Sequence, residues 1–201
     1  MPMTTLATSD LPPVVTTRPV LPGDLDAISA LHARVFGPGR FARSAYRVRE
    51  GTPAVSPYCR LAEIGTTLIA AIRMTEIGFT RSSPSAPRAL LLGPLAVENA
   101  FAGQGHGKRL IAETLSAARA DGIGLVVLVG NMSYYGRFGF LPVMPGDILM
   151  PGPADPARIL AAEFTGGALA ACRGVVRGLA APHAQHHTAE TSDAQPLNVP
   201  A

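Results

Sequence analysis

Leu90-Leu-Leu-Gly-Pro-Leu-Ala-Val97, Gly103-Gln-Gly-His-Gly-Lys108, Leu110-Ile-Ala-Glu-Thr-Leu115 and Leu125-Val-Val-Leu-Val129 follow one another along a single stretch of the chain. The first is a long apolar run with strand character. The second is too rich in glycine to continue any regular element. Leu110, Ile111, Leu115 and Ala118 share one side of a helix predicted over Gly107–Asp121, which Gly122 ends. The fourth is continuously apolar and β-branched, as a strand covered on both faces should be. Strand, loop, helix and strand in that order make a βαβ crossover, which demands a parallel pair. The fold class is therefore α/β with a mixed sheet.

Working outward, Thr16-Thr-Arg-Pro-Val20 reads as a short edge strand, where proline is tolerated. Asp24 is the expected cap of a helix whose apolar face is Leu25, Ile28, Leu31 and Val35, stopped by Gly37. Arg40–Glu50 is predicted as one further helix, with Arg40, Arg43, Arg47 and Arg49 on a solvated basic face. Tyr58–Ala62 and Thr67–Phe79 read as two strands joined at Gly65, and the Ser/Pro stretch Arg81–Arg88 as a surface loop. Beyond the crossover come a short helix near Ser133–Phe138, a proline-rich loop, and the run Ile159–Phe164, which periodicity leaves open between strand and helix. Residues 1–14 read as a flexible lead, 15–179 as one domain, and 180–201 as a disordered tail.

A chain of 201 residues with 47% hydrophobic and 15% charged residues has ample material for one core. Its longest apolar stretch falls far short of the roughly 20 residues that span a bilayer. The start, Met1-Pro-Met-Thr-Thr, has no basic and apolar leader pattern. Cys59 and Cys172 are too few for a disulfide framework, so a reducing, cytoplasmic setting is expected. The net charge of +3 comes without any Lys/Arg run, which speaks against nucleic acid as the main partner, and with no spanning stretch no membrane is expected as a partner either. His183, His186 and His187 have no carboxylate or cysteine cluster beside them, so no metal is expected.

The loop Gly103–Lys108 carries the chemistry. Its glycines let backbone approach a ligand, and the first N–H groups of the following helix point there unpaired. Aligned peptide dipoles favour negative charge at that end, so a phosphate or pyrophosphate is the natural guest. Lys108 is the one lysine of the chain. A nucleotide-binding P-loop needs glycine at 102 and Ser or Thr at 109, where Ala102 and Arg109 stand. A dinucleotide fingerprint needs glycine at 108 or at 110, where Lys108 and Leu110 stand.

What fits is the segment Leu95–Leu110, which resembles the acyl-CoA-binding motif of the GCN5-related N-acetyltransferase (GNAT) superfamily, Gln/Arg-x-x-Gly-x-Gly/Ala between strand and helix. Gly105 and Gly107 match the two small positions, and Ala102 stands where Gln or Arg is usual. Tyr134-Tyr-Gly-Arg-Phe-Gly-Phe140 is similar to the Tyr-x-x-x-Gly-Phe element of the family, with Tyr135, Gly139 and Phe140 at the matching places. Arg18-Pro19 and Pro22–Leu25 resemble its entry strand and helix. The resemblance covers residues 15–170, and the subtype looks like the small bacterial YhbS-like branch.

The resemblance implies a central mixed sheet with helices on both faces, and an N-acyltransferase using acetyl-CoA as co-substrate with no metal. Leu95, Ala96 and Val97 would pair with the pantetheine arm through their backbone. Gly103, Gln104, Gly105, His106, Gly107 and Lys108 would hold the pyrophosphate. Tyr135 would be catalytic, protonating the leaving thiolate. The strands around 90–97 and 125–129 would splay to admit the cofactor. Glu63 and Glu76 are unranked candidates for the base. The acceptor partner would be a small-molecule or peptide amine, and a homodimer stays open. Two other readings stand beside this one: a CoA-sensing or interaction module without turnover, and an acyltransferase whose donor is a longer acyl-CoA or an acyl carrier protein.

Overall fold

The computed structural model describes residues 14–180; the rest of the lead and the tail from residue 181, with its three histidines, lie outside the described residues. Strand β1 is Val15–Pro19, helix α1 Leu25–Phe36, α2 Ser44–Val48, β2 Arg60–Ile64, β3 Thr67–Ser82, β4 Ala89–Val97, α3 His106–Ala120 and β5 Leu125–Val129. Then follow α4 Met132–Tyr135, β6 Leu141–Pro142, β7 Ile148–Leu149, β8 Ile159–Glu163, α5 Ala168–Ala171 and β9 Cys172–Gly178. The sheet runs β1-β2-β3-β4-β5-β8-β6, and β9 pairs with the far end of β3 and with β7. All neighbours along that path are antiparallel except β4 and β5, the parallel pair that the crossover through α3 requires. The open run Ile159–Phe164 is a strand, since it pairs residue for residue with β5.

Strand alternation divides the apolar residues into two cores. Leu90, Leu92, Val126, Leu128 and Leu160 point to one face, where Ile28 and Leu31 of α1 and Leu110, Ile111 and Leu115 of α3 cover them. Leu91, Leu125, Val127, Ile159 and Ala161 point to the other, beneath Val48 of α2, Ala168 of α5 and the β7–β9 pair. Each fully buried Leu or Ile contributes roughly 1.5–3 kcal/mol, so three such side chains clamp α3 firmly enough to fix its first turn against the sheet. Among the described residues no helix is long and apolar enough to cross a membrane.

Three local expectations change. Asp24 does not cap α1. Pro22 starts a 3-10 turn, Pro22–Asp24, which carries the carboxylate back to accept the Leu21 N–H at 2.8 Å and pair with Arg18 at 2.7 Å. Arg40–Glu50 is not one helix, because Arg43 is extended between a 3-10 turn, Pro38–Ala42, and α2. Nor is it a simple solvated basic face. The Arg40, Arg43 and Arg49 guanidiniums lie over the rings of Phe41, Phe36 and Tyr46 at 4.2, 4.7 and 4.3 Å.

Candidate functional site

β4 and β5 are paired only from Ala89/Leu125 to Leu91/Val127, although the strands continue to Val97 and Val129. The cause lies on the other edge of β4. Between the pairs Met74/Leu92 and Ile72/Leu95, the two residues Gly93 and Pro94 oppose the single residue Arg73. Two against one bends and twists the strand. No pairing joins β4 to β5 beyond Leu91 and Val127, as the expected splay requires.

The backbone facing into the gap can be named. In an antiparallel strand, successive residues direct their N–H and C=O groups to opposite edges. The Glu98 N–H donates to the Ile69 carbonyl on β3 at 2.8 Å, so Ala96, paired with Ala71, also faces β3. Leu95 and Val97 present theirs to the open side. Of the three strand residues singled out from the sequence, Ala96 therefore has its polar backbone already committed to the sheet.

The glycine loop closes one end of the gap. Gly103 and Gly105 have φ of 77° and 92°, values that any other residue adopts only under strain. Gly105 turns the chain into α3, whose first internal hydrogen bond runs from the Arg109 N–H to the Gly105 carbonyl. The N–H groups of His106, Gly107 and Lys108 remain unpaired within the helix and face a cavity of about 130 Å³ shared with Val97, Phe101 and Tyr134. The side chains of Gln104 and His106 hold the outside of the loop: the Gln104 amide donates to the Ala100 carbonyl at 3.1 Å, and its oxygen lies 3.4 Å from His106 Nε2. Lys108 is exposed beside the cavity.

At the other end lies a larger cavity of about 630 Å³, walled by Leu92 to Leu95, Gly130, Asn131, Tyr134, Tyr135, Asp155 and Arg158. The Tyr134 and Tyr135 rings meet edge to face at 4.9 Å. Tyr134 lines both cavities, and a methyl placed on Gly107 would come 3.1 Å from its hydroxyl. Tyr135 lines only the larger one. Its ring sits against Gly130, where any side chain would collide with it, and 5.9 Å from Phe140. Burial, and secondarily Tyr134, pushes the Tyr135 hydroxyl up to about 12, so it carries its proton throughout the neutral range. Burial pushes Tyr134 upward as well.

Residues 25–140 match the acetyltransferase (GNAT) family. The chain belongs to that family. The uncharacterized N-acetyltransferase YjhQ of Escherichia coli K12 is 30% identical over 130 residues, which are 65% of this chain and 71% of the relative. The fold is similar to that of E. coli YhbS, solved in complex with CoA, with TM-score 0.68 and 23% identity over 86% of this chain and 94% of that one. A GNAT acetyltransferase of Brucella melitensis, solved with acetyl-CoA, aligns with TM-score 0.52 and 24% identity over 74% and 96%. This GNAT chain is thus an acyltransferase with the expected mixed-sheet fold.

Neither Glu63 nor Glu76 lines the cavities of this acetyltransferase. Each is held in a surface ion pair, to Arg18 at 3.1 Å and to Arg88 at 2.8 Å. The carboxylate in the wall of the larger cavity is Asp155, which accepts the Ala157 N–H at 2.9 Å. An Asp-Pro pair inside a proline-rich loop carries no catalytic signal in the sequence; the loop is brought to the cavity where the Gly130 N–H, just past β5, donates to the Arg158 carbonyl at 2.9 Å. Gly130 is a second residue with no local signal, since its need is set by the ring of Tyr135.

Proposed function

We propose that this GNAT chain transfers an acetyl group from acetyl-CoA directly to a primary amine in the gap between β4 and β5. The observation that carries the reading is the continuity of the parts: a glycine cradle at one end, unpaired strand edge along the middle, and a walled cavity with two tyrosines at the other. The CoA held by YhbS and the acetyl-CoA held by the Brucella protein support the identity of the donor.

In this reading the N–H groups of His106, Gly107 and Lys108 hold the pyrophosphate, with Lys108 as added positive charge. The pantetheine amides pair with Leu95 and Val97 as another strand would. Pro94 has no N–H, so the Leu95 N–H is the first donor past the bulge able to polarise the thioester carbonyl and hold the oxyanion. A neutral amine attacks the carbonyl carbon, the C–S bond breaks, and the electron pair leaves on sulfur. The amine proton passes to water, with Asp155 as the carboxylate in reach of that water.

Tyr135 acts on the leaving sulfur. Burial pushes its hydroxyl up to about 12, so it stays protonated and can donate to the sulfur as the thiolate leaves. The hydroxyl therefore stabilises the thiolate as a hydrogen-bond donor, and the sulfur takes its proton from solvent on release. The test is free-thiol release from acetyl-CoA against a panel of amines, amino acids and peptides, with CoA affinity measured by calorimetry. Amine-dependent thiol release supports the reading. CoA binding without transfer to any amine would make the chain a CoA-sensing module instead. The setting proposed for this reaction is cytoplasmic.

A further inference from the structure

A third cavity, of about 510 Å³, lies between α1, the Pro38–Ala42 turn and α2, and none of the chemistry above uses it. His32, Arg40, Tyr46, Arg49 and Arg73 line it. His32 is only 3% exposed, yet its Nε2 has no hydrogen-bond partner among the described residues. The same holds for the buried Oη of Tyr46 and Nη1 of Arg49. Buried polar atoms are nearly always satisfied, and orphans on residues lining one cavity mark a place where something polar belongs.

The charge of that something follows from the walls. Arg40, Arg49 and Arg73 make no ion pair with any carboxylate among the described residues, although Asp26 and Glu50 line the same cavity. The hydrogen bonds they do make are to backbone carbonyls, Arg40 to Gly37 and Arg73 to Ala54. Guanidiniums offer several donors in a fork that matches carboxylate and phosphate oxygens. Burial, reinforced by the charges of Arg49, Arg73 and Arg40, holds the His32 imidazole down at about 4, so it meets a guest in its neutral form.

The position relates this cavity to acyl transfer. Tyr46 stands in the wall of both this cavity and the larger one beside Tyr135. Phe36, in the wall of the transfer cavity, is 5.7 Å from the His32 ring. We propose that the cavity around His32, Arg49 and Arg73 is an oxyanion subsite that takes the carboxylate or phosphate of the acceptor, so that the acceptor is an amine carrying a negative group. This rests on the acyl-transfer reading for the word acceptor, but the anion site itself does not.

The test has two arms. In the first, the full chain is titrated with inorganic phosphate and with acetate at constant ionic strength, while the His32 ring signals are followed by NMR, assigned with His32→Gln. A saturable shift for either anion, weakened at least tenfold in Arg49→Gln or Arg73→Gln and kept in Arg47→Gln, is the expected result. The three variants guard against a single one that fails to fold. No saturable shift, or one that Arg49→Gln and Arg73→Gln both keep, overturns the site whatever the activity. In the second arm, kcat/KM is compared within matched pairs: an amino acid and its amide, an aminoalkyl phosphate and its amino alcohol. The expected preference for the anionic member is tenfold or more. It collapses in Arg73→Gln, with CoA affinity unchanged. Equal kcat/KM within both pairs overturns the assignment of the subsite to the acceptor. Anion binding in a chain that acetylates no amine sinks the acyl-transfer reading and leaves the anion site standing.

Discussion

Gly107 is buried where the first turn of α3 meets β4 and the tyrosines, and substitutions there can be graded. Its backbone is helical, so a side chain brings no strain of its own. A Cβ at this position would lie 3.1 Å from Tyr134 Oη, 3.3 Å from Val97 Cγ2 and 3.4 Å from Leu95 Cδ2. Each contact is tight by a few tenths of an ångström, and the tightest is to the far end of a side chain that can yield. Alanine also gains about 1 kcal/mol over glycine in a helix. Gly107→Ala should therefore fold as well as the parent and lose at most about fivefold in CoA affinity, or ~1 kcal/mol. Valine adds two γ-carbons beyond an already crowded Cβ. Overpacking of this kind costs about 1–3 kcal/mol. Relieved at the expense of the cradle, it weakens CoA binding roughly 5- to 150-fold. The assay is calorimetric titration with CoA, beside thermal melts that confirm a cooperative fold in each variant. CoA affinity within twofold of the parent for Gly107→Val, or alanine as damaging as valine, would refute the placement of the ligand at this junction. Gly105 is a poorer probe. Its φ of 92° strains any replacement, and the space beside it is open, so a loss there would not report on the ligand.

Tyr135→Phe should lower kcat roughly 10²–10³-fold with CoA affinity nearly unchanged, because the hydrogen bond to the thiolate is made chiefly in the transition state. Tyr134→Phe, measured in the same thiol-release assay, should cost kcat far less; an equal or larger loss at Tyr134 would move the role to that ring. His32 predicts a pH dependence of stability. Its folded pKa of about 4 lies below the ordinary 6.5, so the unfolded chain binds the proton first and stability falls as pH drops from about 6.5 to 4. The loss reaches up to ~3 kcal/mol by urea unfolding, and His32→Gln should flatten that part of the profile. Asp24, held near 2 by Arg18, acts in a lower window: its stabilising effect is present above about 4 and lost toward pH 2, and Asp24→Asn should remove it from an acid titration.

The crossover from Leu90 to Val129 was legible because its information is local. Continuous apolar strands, a run of glycines and a helix with one apolar stripe each speak through neighbours in sequence. The two tyrosines were legible through their register with Gly139 and Phe140. What stayed hidden depends on residues distant in the chain. The bulge that opens the gap needs Gly93 and Pro94 set against Arg73 on another strand. Asp155 reaches the cavity only through the packing of the β7–β8 loop. The arginines of 40–49 look like a solvated stripe until Phe36, Phe41 and Tyr46 supply rings for them to lie on. Asp24 had the composition of a helix cap, but Pro22 made a tighter turn that gave its carboxylate a nearer donor.

The claim that the donor lies in the gap between β4 and β5 has a residue-by-residue test in backbone amide exchange with and without CoA. Ala96 is already paired to Ala71 on β3, so its exchange should be slow in both states. Leu95 and Val97, on the open edge, should exchange faster in the free chain and slow markedly when CoA binds. Slowing at Leu95 and Val97 alone among the three is the predicted result. CoA binding that leaves both amides unprotected would contradict the account, whatever the activity of the chain.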